Sequence, residues 1–265
     1  MMSEEIKLKN RINCPLCKNL NDSPKEILAS NEWCLVQCPE CFFIYMPNVP
    51  IYERMKEELA WERNFSSEKK VKFSKKIRRS IKSLIKRNKL LYLLEKYISK
   101  GNILDVGCGS GVKFDNLPER FTPFGIDISL ESANEAKNNF EKKGGSAVCA
   151  PATDVLQNFE EDFFSAVVLR SYLEHEHNPL EVLEGLKKTI KNNGVVIIKV
   201  PNYGSINRVV RGKKWCGYRF PDHVNQFTPS TLSKMVLKAG YKIIKFNYSD
   251  KQLTSDNMWM VVRPS

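Results

Sequence analysis

Residues 103–111 read I-L-D-V-G-C-G-S-G: an apolar strand runs into a loop carrying Gly107, Gly109 and Gly111. Glycine is demanded where a backbone turns tightly and a ligand must come close to it. The dinucleotide fingerprint requires G-x-G-x-x-G, or Ala in the last place. Counted from Gly107, that last place is Val112, so the tighter G-x-G-x-G suits a ligand without a pyrophosphate. Sixteen residues beyond Gly111 stands Asp127, closing the apolar run F-G-I-D. A carboxylate there can accept both hydroxyls of a ribose lying over the strand ends, the usual crevice of an open α/β sheet.

The pattern around this loop predicts the rest of the sheet. Short apolar runs at 103–106, 123–127, 146–150, 164–169 and 195–200 alternate with helical patterns at 111–117, 130–142 and 179–191. Such alternation implies βαβ units and a parallel sheet. A helix at 228–239 and two last strands at 241–248 and 257–262 complete the chain.

At these residues the sequence resembles the class I S-adenosylmethionine-dependent methyltransferases of types 11, 12 and 23. The likeness continues in order through Y-L-E-H-E-H-N-P (Tyr172 to Pro179), N-N-G-V-V-I-I-K-V-P-N (Asn192 to Asn202) and F-T-P-S-T-L…K-A-G-Y (Phe227 to Tyr241). One departure is Phe164-Ser165, where that family often has Phe-Asp. The resemblance implies a seven-stranded Rossmann-like sheet with an antiparallel last strand, and S-adenosylmethionine as cofactor. It assigns cofactor contacts to Asp105, Gly107, Gly109, Gly111, Asp127, Ile128 and Thr153.

A second pattern lies upstream. C-P-L-C (Cys14, Cys17) and C-P-E-C (Cys38, Cys41) are separated by twenty residues. Two such knuckles place four thiolates around one Zn²⁺, with no open coordination position, so the ion would be structural. The run from Trp33 to Gln37 between them reads as a strand, as in a zinc ribbon. Cys34 reads as a ribbon residue rather than a ligand. The expected organisation is a zinc ribbon over 1–49, a helical connector over 50–100 and the methyltransferase domain over 101–265. Many bacterial methyltransferases that the chain resembles have such a ribbon, followed by a segment similar to L-A-W-E-R (Leu59 to Arg63).

The net charge of +12 is uneven, since the stretch from Lys69 to Lys89 holds eleven Lys/Arg and no acidic residue. Its Ile/Leu stripe fits either a helix packed on the domain with a solvated basic face or a peripheral membrane contact. No RNA-binding motif accompanies it, and charge alone is a weak argument for nucleic acid. With no apolar leader and no long apolar run, the expectation is a cytoplasmic protein.

Methyl transfer requires an aligned acceptor and, for an oxygen or carbon nucleophile, removal of a proton. Three histidines are available. His223 is the first candidate for general base or acceptor positioning, against a structural loop role. His175 reads as site-lining more than as a base. His177 is expected to cap a helix or face solvent, and Glu174 to serve a helix start more than the site. The segment 201–226, with Tyr203, Trp215, Tyr218 and Phe220 among arginines, is either an acceptor-binding lid or a small core of its own. The leading expectation is a methyltransferase for a small molecule, a sugar or glycan precursor or related metabolite. The alternative is an RNA methyltransferase that grips its substrate through the ribbon and the basic segment.

Overall fold

The computed structural model describes residues 8–20, 23–30, 33–51 and 89–265. The L-A-W-E-R segment and the basic stretch as far as residue 88 lie outside the described residues.

The N-terminal part is built from five short strands. Strands β1 (Leu8–Asn10) and β5 (Asn48–Pro50) pair antiparallel. Strands β2 (Lys25–Ser30), β3 (Trp33–Gln37) and β4 (Ile44–Tyr45) form an antiparallel sheet. The two cysteine knuckles close alike. The residue after each second cysteine is left-handed, Lys18 at φ 69° and Phe42 at φ 64°. Its amide returns to the first cysteine's carbonyl, at 2.9 Å from Lys18 and 3.0 Å from Phe42.

Helix α1 (Lys89–Tyr97) leads into β6 (Gly101–Val106) and β7 (Phe121–Asp127). Helix α2 (Leu130–Glu141) is capped by the Ser129 hydroxyl and is followed by β8 (Ser146–Cys149). The short α3 (Val155–Asn158) precedes β9 (Phe164–Arg170), then come α4 (Pro179–Thr189) and β10 (Ile190–Pro201). After α5 (Ile206–Arg211) and β11 (Asn225–Gln226) the chain ends with α6 (Pro229–Lys238), β12 (Tyr241–Lys245) and β13 (Asn257–Pro264). The expected α/β fold is formed: a seven-stranded sheet of order β12-β13-β10-β9-β6-β7-β8, with β13 antiparallel to both its neighbours.

Strand β9 is apolar along nearly its whole length and buried on both faces, as a central parallel strand must be. The chain winds outward from β6 through β7 to β8, then crosses back to place β9 on the other side of β6. That reversal opens a crevice beyond the carboxyl ends of β6 and β9, where ligands of open α/β sheets bind.

One expected helix does not form. The segment read as helix at 111–117 makes a single 3₁₀ turn, Val112–Phe114. Its start is left-handed at Gly111, φ 78°, and Pro118 follows four residues after the turn, so helix has little room to propagate.

The ribbon is not a separate bead. Strand β11 joins the ribbon sheet as its edge strand beside β4, giving the order β11-β4-β3-β2. One continuous apolar core runs from Cys14, Leu16, Val36 and Phe43 into Phe227, Leu232 and Met235 of the sheet domain. The Phe43 and Phe227 rings meet at 5.3 Å. A second cluster packs Trp33, Leu35 and Met46 of the ribbon against Tyr203, Trp215 and Val224. The aromatics of segment 201–226 are thus largely spent on core: Trp215 is 1% exposed and its indole donates to Asp256 at 2.9 Å.

Candidate active site

The glycine loop turns at the end of β6. Gly107 has φ +67°, and a Cβ there would stand 2.8 Å from the Tyr172 ring, so both backbone and neighbour demand glycine. Gly109 has φ +54° and nothing within 4 Å of where its Cβ would be. The space over Gly109 is therefore open to a ligand. Gly109 also donates its amide to Asp127 Oδ2 at 2.8 Å, and Ser129 donates to Oδ1 at 3.0 Å. Each Asp127 oxygen accepts one backbone bond and keeps a lone pair for another donor.

Beneath the loop, Asp105 is fully buried, and neither of its carboxylate oxygens has a hydrogen-bond partner. Burial lifts its pKa to about 6, against the opposing pull of Lys113 and Arg170. Lys113 Nζ stands 3.9 Å from Asp105 Oδ2 and donates to the Gly107 carbonyl at 3.2 Å. Lys113 is a residue the sequence reading missed, because a lysine after a glycine loop carries no pattern of its own.

At the next strand ends, β7 and β8 pair Asp127 with Cys149, and the Ala150 amide donates to the Asp127 carbonyl at 3.0 Å. Ile128 accepts from Cys149 Sγ at 3.6 Å, and Thr153 lies on the following 3₁₀ turn, Ala152–Asp154. Thr153 donates its hydroxyl to Asp154 at 3.3 Å. Asp105, Gly107, Gly109, Gly111, Asp127 and Ile128 are thus gathered around one loop, with Thr153 on the adjoining turn.

A cavity of about 220 Å³ lies at the ends of β9 and β10, lined by Ser171, Glu174, His175, Pro201, Arg219 and His223 among others. Ser171, at the exit of β9, is held at φ 56°, a strained conformation for a side chain of this kind. Lys199 donates to its hydroxyl at 3.3 Å. The His175 and His223 rings meet edge to face with centroids 4.7 Å apart. His175 Nδ1 lies 2.9 Å from the Asp222 carbonyl, and His223 Nδ1 2.9 Å from the Gly217 carbonyl. A carbonyl only accepts, so both Nδ1 atoms carry the proton and both Nε2 atoms carry a lone pair. Burial pushes the His223 pKa down to about 4 and holds that of His175 well below the ordinary range.

Two expectations need correction. Glu174 lines the cavity and does not start a helix; that task falls to Glu176, which accepts from the Asn178 amide at 2.9 Å before α4. Glu174 is buried, Oε2 has no hydrogen-bond partner, and burial pushes its pKa up to about 7. His177 does not face solvent. It is 2% exposed, and burial, with Arg11 and Lys9 of the ribbon nearby, brings its pKa down to about 3.

The four knuckle cysteines converge. Cys14 and Cys41 Sγ are 3.5 Å apart, Cys17 and Cys38 Sγ 3.6 Å, and all four lie within 4.8 Å of one another. Sulfurs about 2.3 Å from a tetrahedral zinc stand about 3.8 Å from each other. The donor set and spacing fit such an ion. Cys34 lies on β3, outside the cluster.

The methyltransferase-domain family model matches residues 74–245. The chain belongs to the methyltransferase-domain family. The match takes in the glycine loop, Asp127 and both cavity histidines, and begins beyond the four cysteines. Family model and fold agree on a methyltransferase domain. The chain is similar to an uncharacterized protein of Methanocaldococcus jannaschii, 27% identical over 153 residues, covering 57% of this chain and 70% of that protein. It is also similar to the ubiquinone biosynthesis O-methyltransferase of Actinobacillus pleuropneumoniae, 29% identical over 115 residues. That alignment covers 41% of this chain and 47% of the relative, so the chain spans about half of that enzyme's length. Among solved structures, an S-adenosylmethionine-dependent methyltransferase from Clostridium acetobutylicum shares the fold, with a TM-score of 0.53 at 16% identity, over 66% of this chain and 89% of that one.

Proposed function

We propose that this methyltransferase modifies a hydroxyl group of a small polar metabolite, of sugar or glycan-precursor type, held in the cavity at the ends of β9 and β10. The observation that carries the reading is the edge-to-face pair His175 and His223 at the wall of a cavity whose lining includes polar side chains. Ser171, Glu174, Arg219, Asp256 and Asn257 supply hydrogen-bonding groups suited to a polyhydroxylated acceptor. Relatives named as O-methyltransferases favour oxygen as the methylated atom.

S-adenosylmethionine, when bound, supplies an electrophilic methyl group on a sulfonium. The residues present fit it. Asp105 offers a buried carboxylate, short of hydrogen bonds, to its ammonium, and the open space over Gly109 admits close approach. Asp127 keeps lone pairs for ribose hydroxyls. His223 Nε2 accepts the hydrogen bond of the acceptor hydroxyl and takes its proton as the oxygen attacks. Glu174, within 4.8 Å, steadies the charge that arises on the imidazole. Cys14, Cys17, Cys38 and Cys41 hold a structural Zn²⁺ that fixes the ribbon.

The test is methyl transfer from isotopically labelled S-adenosylmethionine to a panel of sugars, nucleotide sugars, phenols and RNA. Label in a sugar or nucleotide sugar, lost in His223→Ala, is the expected result. Label in RNA alone would overturn the acceptor assignment.

A further inference from the structure

We infer that Glu174, His175 and His223 form a binding site for a divalent transition-metal cation at the wall of the acceptor cavity, distinct from the four-cysteine cluster. Potential ligand atoms of the three side chains lie within 4.8 Å of one another. Two imidazoles and one carboxylate suit Zn²⁺, Co²⁺, Fe²⁺ or Mn²⁺ better than Mg²⁺ or Ca²⁺, which prefer sets made of oxygen alone.

Three features indicate a built site. The first is the anchoring of both rings. Metal-bound histidines almost always donate the other ring N–H to a carbonyl or carboxylate, which fixes the tautomer and aims the ligating nitrogen. Here Nδ1 of His175 holds the Asp222 carbonyl and Nδ1 of His223 holds the Gly217 carbonyl, both at 2.9 Å. Each ring is thereby committed to Nε2 as its ligand atom.

The second feature is Glu174. It is 1% exposed, and Oε2 finds no hydrogen-bond donor in a buried site. Burying such an oxygen is costly unless something positive meets it. The charges of Lys199, Arg219 and Lys113 pull against the effect of burial on Glu174, yet none of them donates a hydrogen bond to Oε2. Lys199 donates to the Ser171 hydroxyl at 3.3 Å, and Arg219 pairs with Asp222 at 3.2 Å.

The third feature is convergence from distant sequence. Glu174 and His175 leave β9, while His223 comes from the segment before β11. The Asn225 amide donates to the Glu174 carbonyl at 3.1 Å and so holds the two stretches together. Three protein ligands leave coordination positions for an acceptor oxygen, as in metal sites that bind substrate. What the cation does rests on the methyltransferase reading; that it binds does not. A cation on Nε2 uses the lone pair that would otherwise take the acceptor's proton. With the cation bound, the acceptor oxygen would be ligated directly, lowering its pKa so that its proton passes to solvent, and the base role of His223 belongs to the cation-free site.

The test is titration of the zinc-replete full chain with Co²⁺, followed by visible absorption, with S-adenosylmethionine binding measured by calorimetry on the same samples. The expected result is saturable uptake of one further cobalt, showing d–d bands without the intense thiolate charge-transfer band. Glu174→Gln and His223→Ala should each weaken that uptake at least tenfold while keeping ribbon zinc and a cooperative melt. Wild type that binds S-adenosylmethionine but shows no such bands overturns the site, as does unchanged cobalt affinity in both variants. Wild type that takes up the cobalt with these bands but binds no S-adenosylmethionine supports the cation site and overturns the functional reading instead.

Discussion

Arg11 Nη2 donates to Asn225 Oδ1 at 2.7 Å, joining the ribbon to the segment that carries His223. Asn225 in turn donates to the carbonyls of Leu173 and Glu176, at 2.8 and 2.7 Å. One side chain thus ties the ribbon, β11 and the loop bearing Glu174 and His175. Arg11 adds a bond to the Val224 carbonyl at 3.3 Å and lies over the Tyr45 ring.

Asn225→Ala would leave two buried carbonyls and one guanidinium nitrogen short of a partner. Each buried unsatisfied group costs about 1–3 kcal/mol. The variant should lose about 3 kcal/mol of stability in denaturant unfolding and lower turnover more than cofactor affinity. A loss under ~0.5 kcal/mol would show that the junction bears little load.

Cys38→Ser should release zinc from the full chain, as measured by metal analysis. It should also destabilise the sheet domain, since Cys38 belongs to the core that reaches Phe227. Metal binding and folding are coupled in small ribbons. Cys34→Ser should keep the zinc. Full zinc retention by Cys38→Ser would remove the ribbon assignment.

The alternation of strands and helices was legible because glycine spacing and apolar runs are local signals that a parallel sheet obeys. What was illegible depends on contacts far apart in sequence. Two residues, Asn225 and Gln226, cannot show a strand period, so β11 and its pairing with the ribbon were invisible. His177 reads as a solvent residue until Arg11, 166 positions earlier, arrives beside it. Glu174 reads as a helix-start acid because Glu176, two residues on, does that work. The cysteine pairing was legible too, since residue type and interval alone brought out the four sulfurs that the structure gathers within 4.8 Å of one another.

Asp127→Ala should weaken S-adenosylmethionine binding by about 1.5–3 kcal/mol, since buried ribose hydroxyls would lose their acceptor. The Gly109 and Ser129 amides also lose their partner, so the loop itself should loosen and exchange amide hydrogens faster. Unchanged affinity in calorimetry would remove Asp127 from the cofactor site.

Cofactor affinity should depend on pH if Asp105 holds the cofactor's ammonium. Its pKa rises from 3.8 to about 6 in the cofactor-free fold, so the stability it lends is full below about 4 and is lost as pH climbs through 6. A cofactor ammonium held by Asp105 would have the opposite need, because it would pair with the charged carboxylate. Affinity should therefore climb with pH up to about 6, by at most tenfold per unit, and level off above it. Asp105→Asn should flatten the profile and lower the plateau. Calorimetry across pH 5–8 reads both, and an unchanged slope in the variant would assign the titration to another group.

His223→Ala separates function from scaffold at the acceptor cavity. The ring lies at the strand ends, beside Pro201 of β10 and edge to face with His175, while the glycine loop and Asp127 make none of its described hydrogen bonds. Cofactor affinity should stay near wild type. Turnover should fall by about 10²–10⁴-fold if Nε2 takes or orients the acceptor proton. The Gly217 carbonyl keeps a second donor in Gln226 Nε2 at 3.1 Å, so the fold should survive the loss of the Nδ1 bond. His223→Gln, which restores a polar side chain but no imidazole, should recover stability without turnover. A variant that loses cofactor binding and stability together would mark His223 as structural. Turnover near wild type would take it out of the chemistry and leave His175 as the imidazole at the acceptor.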